Sequence, residues 1–178
     1  METNNIRKTI EPLILKDMSI PYNTDRWMPR NFRGLRVGEY NKEGDRNFCI
    51  FLDPSQVDVE QLMADGWNIK KIDNTRDPLA DPNYLLRIKV KYHPLDSDLA
   101  RLNPKILVVN GKGEMMLDEQ NVGDLDSAQI IKANLTIRGR WSETRTYTGV
   151  TAYLSKMVVR VFEDEGSLDD LKAGIMDD

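Results

Sequence analysis

The sequence predicts a mainly β domain built on a closed or nearly closed antiparallel sheet, with one substantial helix and an acidic C-terminal tail. Three observations predict it. Apolar residues recur with period two in several short runs; in the cleanest, Tyr84, Leu86, Ile88, Val90 and Tyr92 alternate with Leu85, Arg87, Lys89 and Lys91. Polar, turn-forming stretches separate these runs. Only the segment after Asp53 and Pro54 carries both start and stop signals of a full helix.

Taken in chain order, Phe32–Tyr40 and Arg46–Leu52 read as two strands joined by the polar "NKEGD" of 41–45, which is hairpin chemistry. Asp53 can cap a helix with Pro54 at its first position. Val57, Val59, Leu62 and Met63 carry that helix toward Gly66, giving a span of 53–65. "WNIKKI" at 67–72 reads as a short strand and the turn-rich 73–83 as an exposed connector. Beyond the alternating strand, Pro104–Leu117 makes a second hairpin, with Asn110 and Gly111 suiting a type I′ turn. A short helical turn fits 124–128. "IIKANLTIR" sets Ile131, Ala133, Leu135 and Ile137 inward and Lys132, Asn134, Thr136 and Arg138 outward. Gly139–Gly149 reads as a connector, and Val150–Phe162 as a last long strand whose imperfect alternation implies a bulge. An OB-like, partly closed antiparallel barrel fits this inventory, with a sandwich left open by composition.

At 178 residues, 40% apolar and 30% charged, the chain has the size of one domain with extensions. The reading divides it into an N-terminal extension over 1–29, a body over 30–162 and a tail over 163–178. No apolar run approaches the roughly 20 residues that cross a bilayer. "METNNIRKTIEPLILKD" does not read as a secretory signal, so no membrane partner is expected. Cys49, the sole cysteine, sits in an apolar strand and reads as a buried thiol without an internal disulfide. The net charge of −4 hides its distribution. Residues 26–162 hold 21 Lys/Arg against 18 Asp/Glu, whereas 163–178 hold seven acids and one lysine. A mildly basic body thus precedes a strongly acidic end.

Catalysis finds little support. The only histidine, His93, precedes Pro94 with no serine, cysteine or acid at motif spacing, and "GKG" at 111–113 lacks the remainder of a phosphate loop. Val122 and Gln129 break the calcium-loop pattern that Asp118 begins. No catalytic residue, metal or cofactor is expected. What remains is cations and aromatics. Arg87, Lys89 and Lys91 lie about 6.6 Å apart on one strand side, at roughly 3.3 Å rise per residue, which suits a flexible sugar-phosphate chain. Three further groups join them: Arg36, Tyr40, Lys42 and Arg46 around the first hairpin; Lys132 and Arg138 on a strand; and Arg140, Trp141, Arg145 and Tyr147 in the following loop. Trp67 is a further aromatic, at a helix–strand junction where core packing competes. Single-stranded nucleic acid calls for this pairing, because bases stack on rings while Lys and Arg neutralise phosphates. The alternative for Arg87, Lys89 and Lys91 is a solvated face whose lysines discourage edge pairing.

The segments "NFRG" (31–34), "YNKEGDRNFCIFLD" (40–53), "DGWNIK" (65–70), "LD" (125–126) and "GVTAYLSKMVVRVFEDE" (149–165) resemble the single-stranded DNA-binding proteins of tailed bacteriophages. The resemblance covers roughly 30–165, and its most specific pieces are the two Asn-Phe segments and the Gly-Trp-Asn. It implies an OB-type fold, sequence-tolerant binding of single-stranded DNA and a role in phage replication or recombination. "RGRWSETRTYTG" departs from the family pattern, so the resemblance assigns no role to Trp141 or Tyr147.

The expectation is therefore a non-catalytic single-stranded DNA-binding protein in the cytoplasm of an infected bacterium, as a monomer or a homo-oligomer. The alternative is a β-rich phage assembly or scaffold protein that binds acidic protein surfaces. The tail is expected to be disordered, and Leu168, Asp169, Asp170, Leu171, Ile175, Met176, Asp177 and Asp178 read as its grip for a phage or host replication or recombination protein.

Overall fold

In the two longest strands, Ile130–Glu143 and Thr148–Val161, alternate residues are buried on one side, which gives the sheet its main core face; on the strands Asn47–Phe51 and Asn83–Lys89, Cys49 and Leu85 are buried on the opposite side as well. The computed structural model describes residues 10–20, 30–34, 45–73, 76–77 and 79–162. Its strands are β1 (Leu13–Met18), β2 (Asn47–Phe51), β3 (Ile69–Ile72), β4 (Asn83–Lys89), β5 (Lys105–Asn110), β6 (Gly113–Leu117), β7 (Ile130–Glu143) and β8 (Thr148–Val161). One helix, α1 (Val59–Ala64), and 3-10 turns at Asp98–Leu102 and Val122–Asp126 complete the described elements. The sheet order is β1-β7-β8-β4-β2, with β3 beside β4 and the β5–β6 hairpin beside β8. β8 is the spine. It pairs antiparallel with β7 along its length, parallel with β4 at Ala152 and Tyr153, and parallel with β5 from Lys156 to Arg160. The two ends of the order do not pair, so the fold is a mainly β, open sheet among the described residues.

The core face gathers Leu13 and Leu15 of β1, Phe48 and Ile50 of β2, Leu86 and Ile88 of β4, Leu135 and Ile137 of β7, and Leu154, Met157 and Val159 of β8. Each large apolar side chain taken from water contributes about 1.5–3 kcal/mol, so this layer is the main source of stability. Two bulges keep the apolar residues facing it. Ile130 pairs with Val161 and Lys132 with Arg160, so Ile131 is an extra residue on β7. Thr136 pairs with Lys156 and Ile137 with Leu154, so Ser155 is extra on β8 and switches its inward parity.

A polar knot closes the end near residue 31. Asn31 and Asn47 exchange backbone hydrogen bonds, and Phe32 stacks on Phe48 with ring centres 4.9 Å apart. Asp126 accepts from the backbone N–H groups of Phe32 and Arg33. The buried Arg30 guanidinium donates to the carbonyls of Ile20, Leu125 and Ala128. Gly34, at φ +71, lies against the Arg46 side chain, where a Cβ would sit 2.9 Å from Arg46 Cγ.

Several expectations change. The helix is shorter than 53–65: Asp53 caps only a turn, accepting from Ser55 N and Oγ, and the helix proper starts after Asp58, whose carboxylate accepts from Gln61 N. It ends where expected, at Gly66, φ +100. The second hairpin turns on Gly111 and Lys112 rather than on Asn110 and Gly111, and neither has the positive φ of a type I′ turn. Gly139–Gly149 is mostly strand, because β7 runs to Glu143 and β8 starts at Thr148. Ile131 points outward at 43% exposure, displaced by the bulge. Leu13–Met18 forms a strand on β7 that the alternation of so short a run did not reveal. The expected strand at Phe32–Tyr40 lies largely outside the described residues, as do the turn at 41–44 and the tail.

Candidate nucleic-acid interface

The face opposite the core is basic. Asp and Glu are absent from β4, β5 and β8 and enter β7 only at Glu143, its last residue. The outward positions instead carry Arg87 and Lys89 on β4, Lys105 on β5, Lys132, Arg138 and Arg140 on β7, and Lys156 and Arg160 on β8. Lys91 continues the β4 side just past the strand and is exposed.

Register turns these residues into rows across the sheet, with neighbouring strands about 4.8 Å apart. Lys89, Tyr153 and Arg138 are direct neighbours on β4, β8 and β7. Lys105, Lys156 and Thr136 form a second row, and Arg160 faces Lys132 in a third. The first row holds the aromatic: the Arg138 guanidinium carbon lies 4.6 Å from the centre of the half-buried Tyr153 ring. Burial pulls the Arg138 guanidinium below its ordinary value, with Tyr153 opposing and Arg140 adding to the shift. Its Nε is buried without a hydrogen-bond partner among the described residues. A poorly solvated cation of this kind gains from an incoming anion.

The residues chosen from sequence divide accordingly. Arg87, Lys89, Lys91, Lys132, Arg138 and Arg140 share the basic face. Arg145 is exposed at the tip of the β7–β8 hairpin. Trp67 is 5% exposed and packs in the core, so its ring offers no face to a base. Arg46 is a strut: its side chain is 13% exposed, Nε donates to the Phe32 carbonyl, one Nη reaches Glu119 at 3.4 Å, and the group lies over Tyr92. Trp141 and Tyr147 belong to a corner on the core side. The Tyr147 hydroxyl donates toward the carbonyls of Gly66 and Val150, and Trp141 lies against Gly66 while its Nε1 donates to Glu143. Arg36, Tyr40 and Lys42 fall outside the described residues.

Sequence reading missed Tyr153, Lys105, Lys156 and Arg160. The signal was the broken alternation of "VTAYLSKMVVRV": Val150, Ala152 and Leu154 hold one parity, and Met157, Val159 and Val161 hold the other. Placing the extra residue between them turns Tyr153, Lys156 and Arg160 to the same side.

The chain matches the family described as "Putative phage ssDNA-binding domain" over residues 3–175. It belongs to that family. Two solved structures share its fold: the single-stranded DNA-binding protein from bacteriophage Enc34 in complex with ssDNA, at TM-score 0.52 and 11% identity, covering 86% of this chain and 88% of that one; and a C-terminal truncation of the same phage protein, at TM-score 0.51 and 11% identity, covering 86% and 87%. No curated protein matches the chain by sequence. Among the described residues no group of three or more His, Cys, Asp or Glu could hold a metal, and no helix is long and apolar enough to cross a membrane.

Proposed function

We propose that this phage-family protein binds single-stranded DNA, without sequence preference, along the basic sheet face, with the strand crossing the Lys89, Tyr153 and Arg138 row. The observation that carries this reading is the row itself, a ring flanked by two cations on an exposed face whose strands are almost free of acids. Tyr153 offers a surface for a base while the flanking cations neutralise phosphates, and neither contact reads base edges. Arg145 at the hairpin tip extends the same chemistry beyond the rows, and we propose the same phosphate- and base-contacting chemistry for Arg36, Tyr40 and Lys42.

The finer architecture we favour is an OB-like, partly closed barrel, supported by the bulged β7–β8 hairpin, since bulges bend and twist a sheet toward closure. The protein acts without catalysis, in phage replication or recombination in the host cytoplasm. Its acidic end, through Leu168, Leu171, Ile175 and Met176 among acids, recruits a replication or recombination protein.

Titration of end-labelled oligo-dT, a mixed-sequence oligonucleotide and a duplex, read by fluorescence anisotropy, tests the reading. Similar affinity for the two single strands and much weaker affinity for the duplex is the expected result. No response to any of them at low salt would favour the scaffold alternative.

A further inference from the structure

β6 ends the sheet on the side away from β1, and among the described residues it pairs only with β5. Exposed strand edges invite pairing unless they are blunted. β1, the opposite edge, is blunted: its register is broken between Leu15 and Met18, Asp17 sits at φ 55, and Lys16 is exposed. Among the described residues β6 has no such break, and its one charge is Glu114. Its register with β5 is unbroken over five pairs and it contains no proline. Met115 and Met116, on opposite sides of the strand, are 53% and 55% exposed.

The hairpin fixes which backbone groups are free. A two-residue loop, Gly111 and Lys112, closes on the pair Asn110–Gly113, and antiparallel pairs alternate between hydrogen-bonded and non-hydrogen-bonded. Gly113, Met115 and Leu117 therefore direct their N–H and C=O groups at β5, and Glu114 and Met116 direct theirs at the open edge. Three antiparallel registers would bring these outward groups of two copies opposite one another. Glu114 facing Glu114 sets like charges together. Met116 facing Met116 sets Glu114 against Asp118. Only Glu114 facing Met116 avoids both, and it also places Lys112 opposite Asp118 of the second copy, twice by symmetry.

We propose that β6 is a self-association edge, pairing antiparallel with β6 of a second copy about a two-fold axis at Met115. The sheet then continues from one copy to the next and covers both methionines. Because the axis is perpendicular to the sheet, the two basic faces lie on the same side with opposite polarity.

Sedimentation equilibrium of the free protein without DNA, together with cysteine crosslinking, tests this. The wild type is expected to show a concentration-dependent dimer, and Met116→Pro, which removes only an edge-facing N–H, is expected to be monomeric with an unchanged circular dichroism spectrum. Met115→Cys should form a covalent dimer on mild oxidation, since opposed non-hydrogen-bonded positions lie within the roughly 4.4–6.8 Å Cα range of a disulfide. Met116→Cys should not, being offset along the strand. Native Cys49 is buried and gives no background. A protein that is monomeric at every concentration, a dimer that survives Met116→Pro, or equal crosslinking by the two cysteine variants overturns the proposal. The cysteine pair decides the matter even if the proline variant does not fold.

Discussion

The Arg138 guanidinium carbon lies 4.6 Å from the centre of the Tyr153 ring, and the two residues are directly opposed on β7 and β8. Such a contact contributes roughly 0.5–1 kcal/mol at an exposed site. Tyr153 is also the register partner of Lys89 on β4. Replacing Tyr153 with Ala is expected to weaken oligo-dT binding by about 1–3 kcal/mol, the range for loss of one base–aromatic stack. Tyr153→Phe, which keeps the ring, should bind nearly as the wild type. Anisotropy titration of the two variants checks this.

Arg46 is expected to behave as a stability residue. Its bond to the Phe32 carbonyl and its position against Gly34 tie β2 to the knot at Asn31. Arg46→Ala should cost about 1.5–3 kcal/mol of folding stability, as for hydrogen bonds to charged groups. Urea unfolding measures this, and the folded fraction should keep its DNA affinity.

A similar expectation holds for Tyr147, whose hydroxyl bonds the carbonyls of Gly66 and Val150 across the helix–hairpin corner. Tyr147→Phe should lose about 1 kcal/mol of stability, read as a lower Tm. Binding should be unchanged, because the ring faces the corner and not the basic sheet face.

Tyr92 gives a pH dependence. Burial pushes its phenol up to about 12, with Arg46 opposing and Asp118 and Glu119 adding. An unfolded Tyr titrates near pH 10. The native state therefore binds the proton more tightly, and the stability tied to it is complete below pH 10 and lost as pH rises from 10 toward 12. The hydroxyl has no hydrogen-bond partner among the described residues, so Tyr92→Phe should be neutral or mildly stabilising at pH 7. The variant should also unfold less steeply between pH 10 and 12, followed by circular dichroism.

The residues that made the sequence recognisable are frame residues. Asn31, Phe32, Gly34, Arg46, Asn47, Phe48 and Asp126 form one knot, and Gly66, Trp67 and Gly149 form one corner. Their spacing was legible because backbone geometry and close packing demand particular residue types. The basic face was legible on β4, where unbroken alternation placed Arg87 and Lys89 together, and on the first part of β7, where it set Lys132 and Arg138 outward. On β8 a single extra residue, Ser155, reversed the parity and concealed Tyr153, Lys156 and Arg160. Trp141 and Tyr147 misled for a different reason. Polar letters around them suggested a loop, whereas cross-strand pairing with β8 holds Trp141 in a long hairpin, and pairing is a tertiary property.

The salt dependence of oligo-dT binding by a variant with Arg87, Lys89 and Arg140 all changed to Ala tests the central claim most directly. All three are exposed on the basic face, and only Arg87 touches a buried group, the Cys49 thiol of the paired strand, so together they contribute little to folding. Each phosphate contact on a single strand contributes about 0.7 to the slope of log K against log salt. If the DNA lies on this face, the slope should flatten by about 2, with an unchanged thermal transition. A slope equal to that of the wild type would place the DNA elsewhere on the protein and contradict the account.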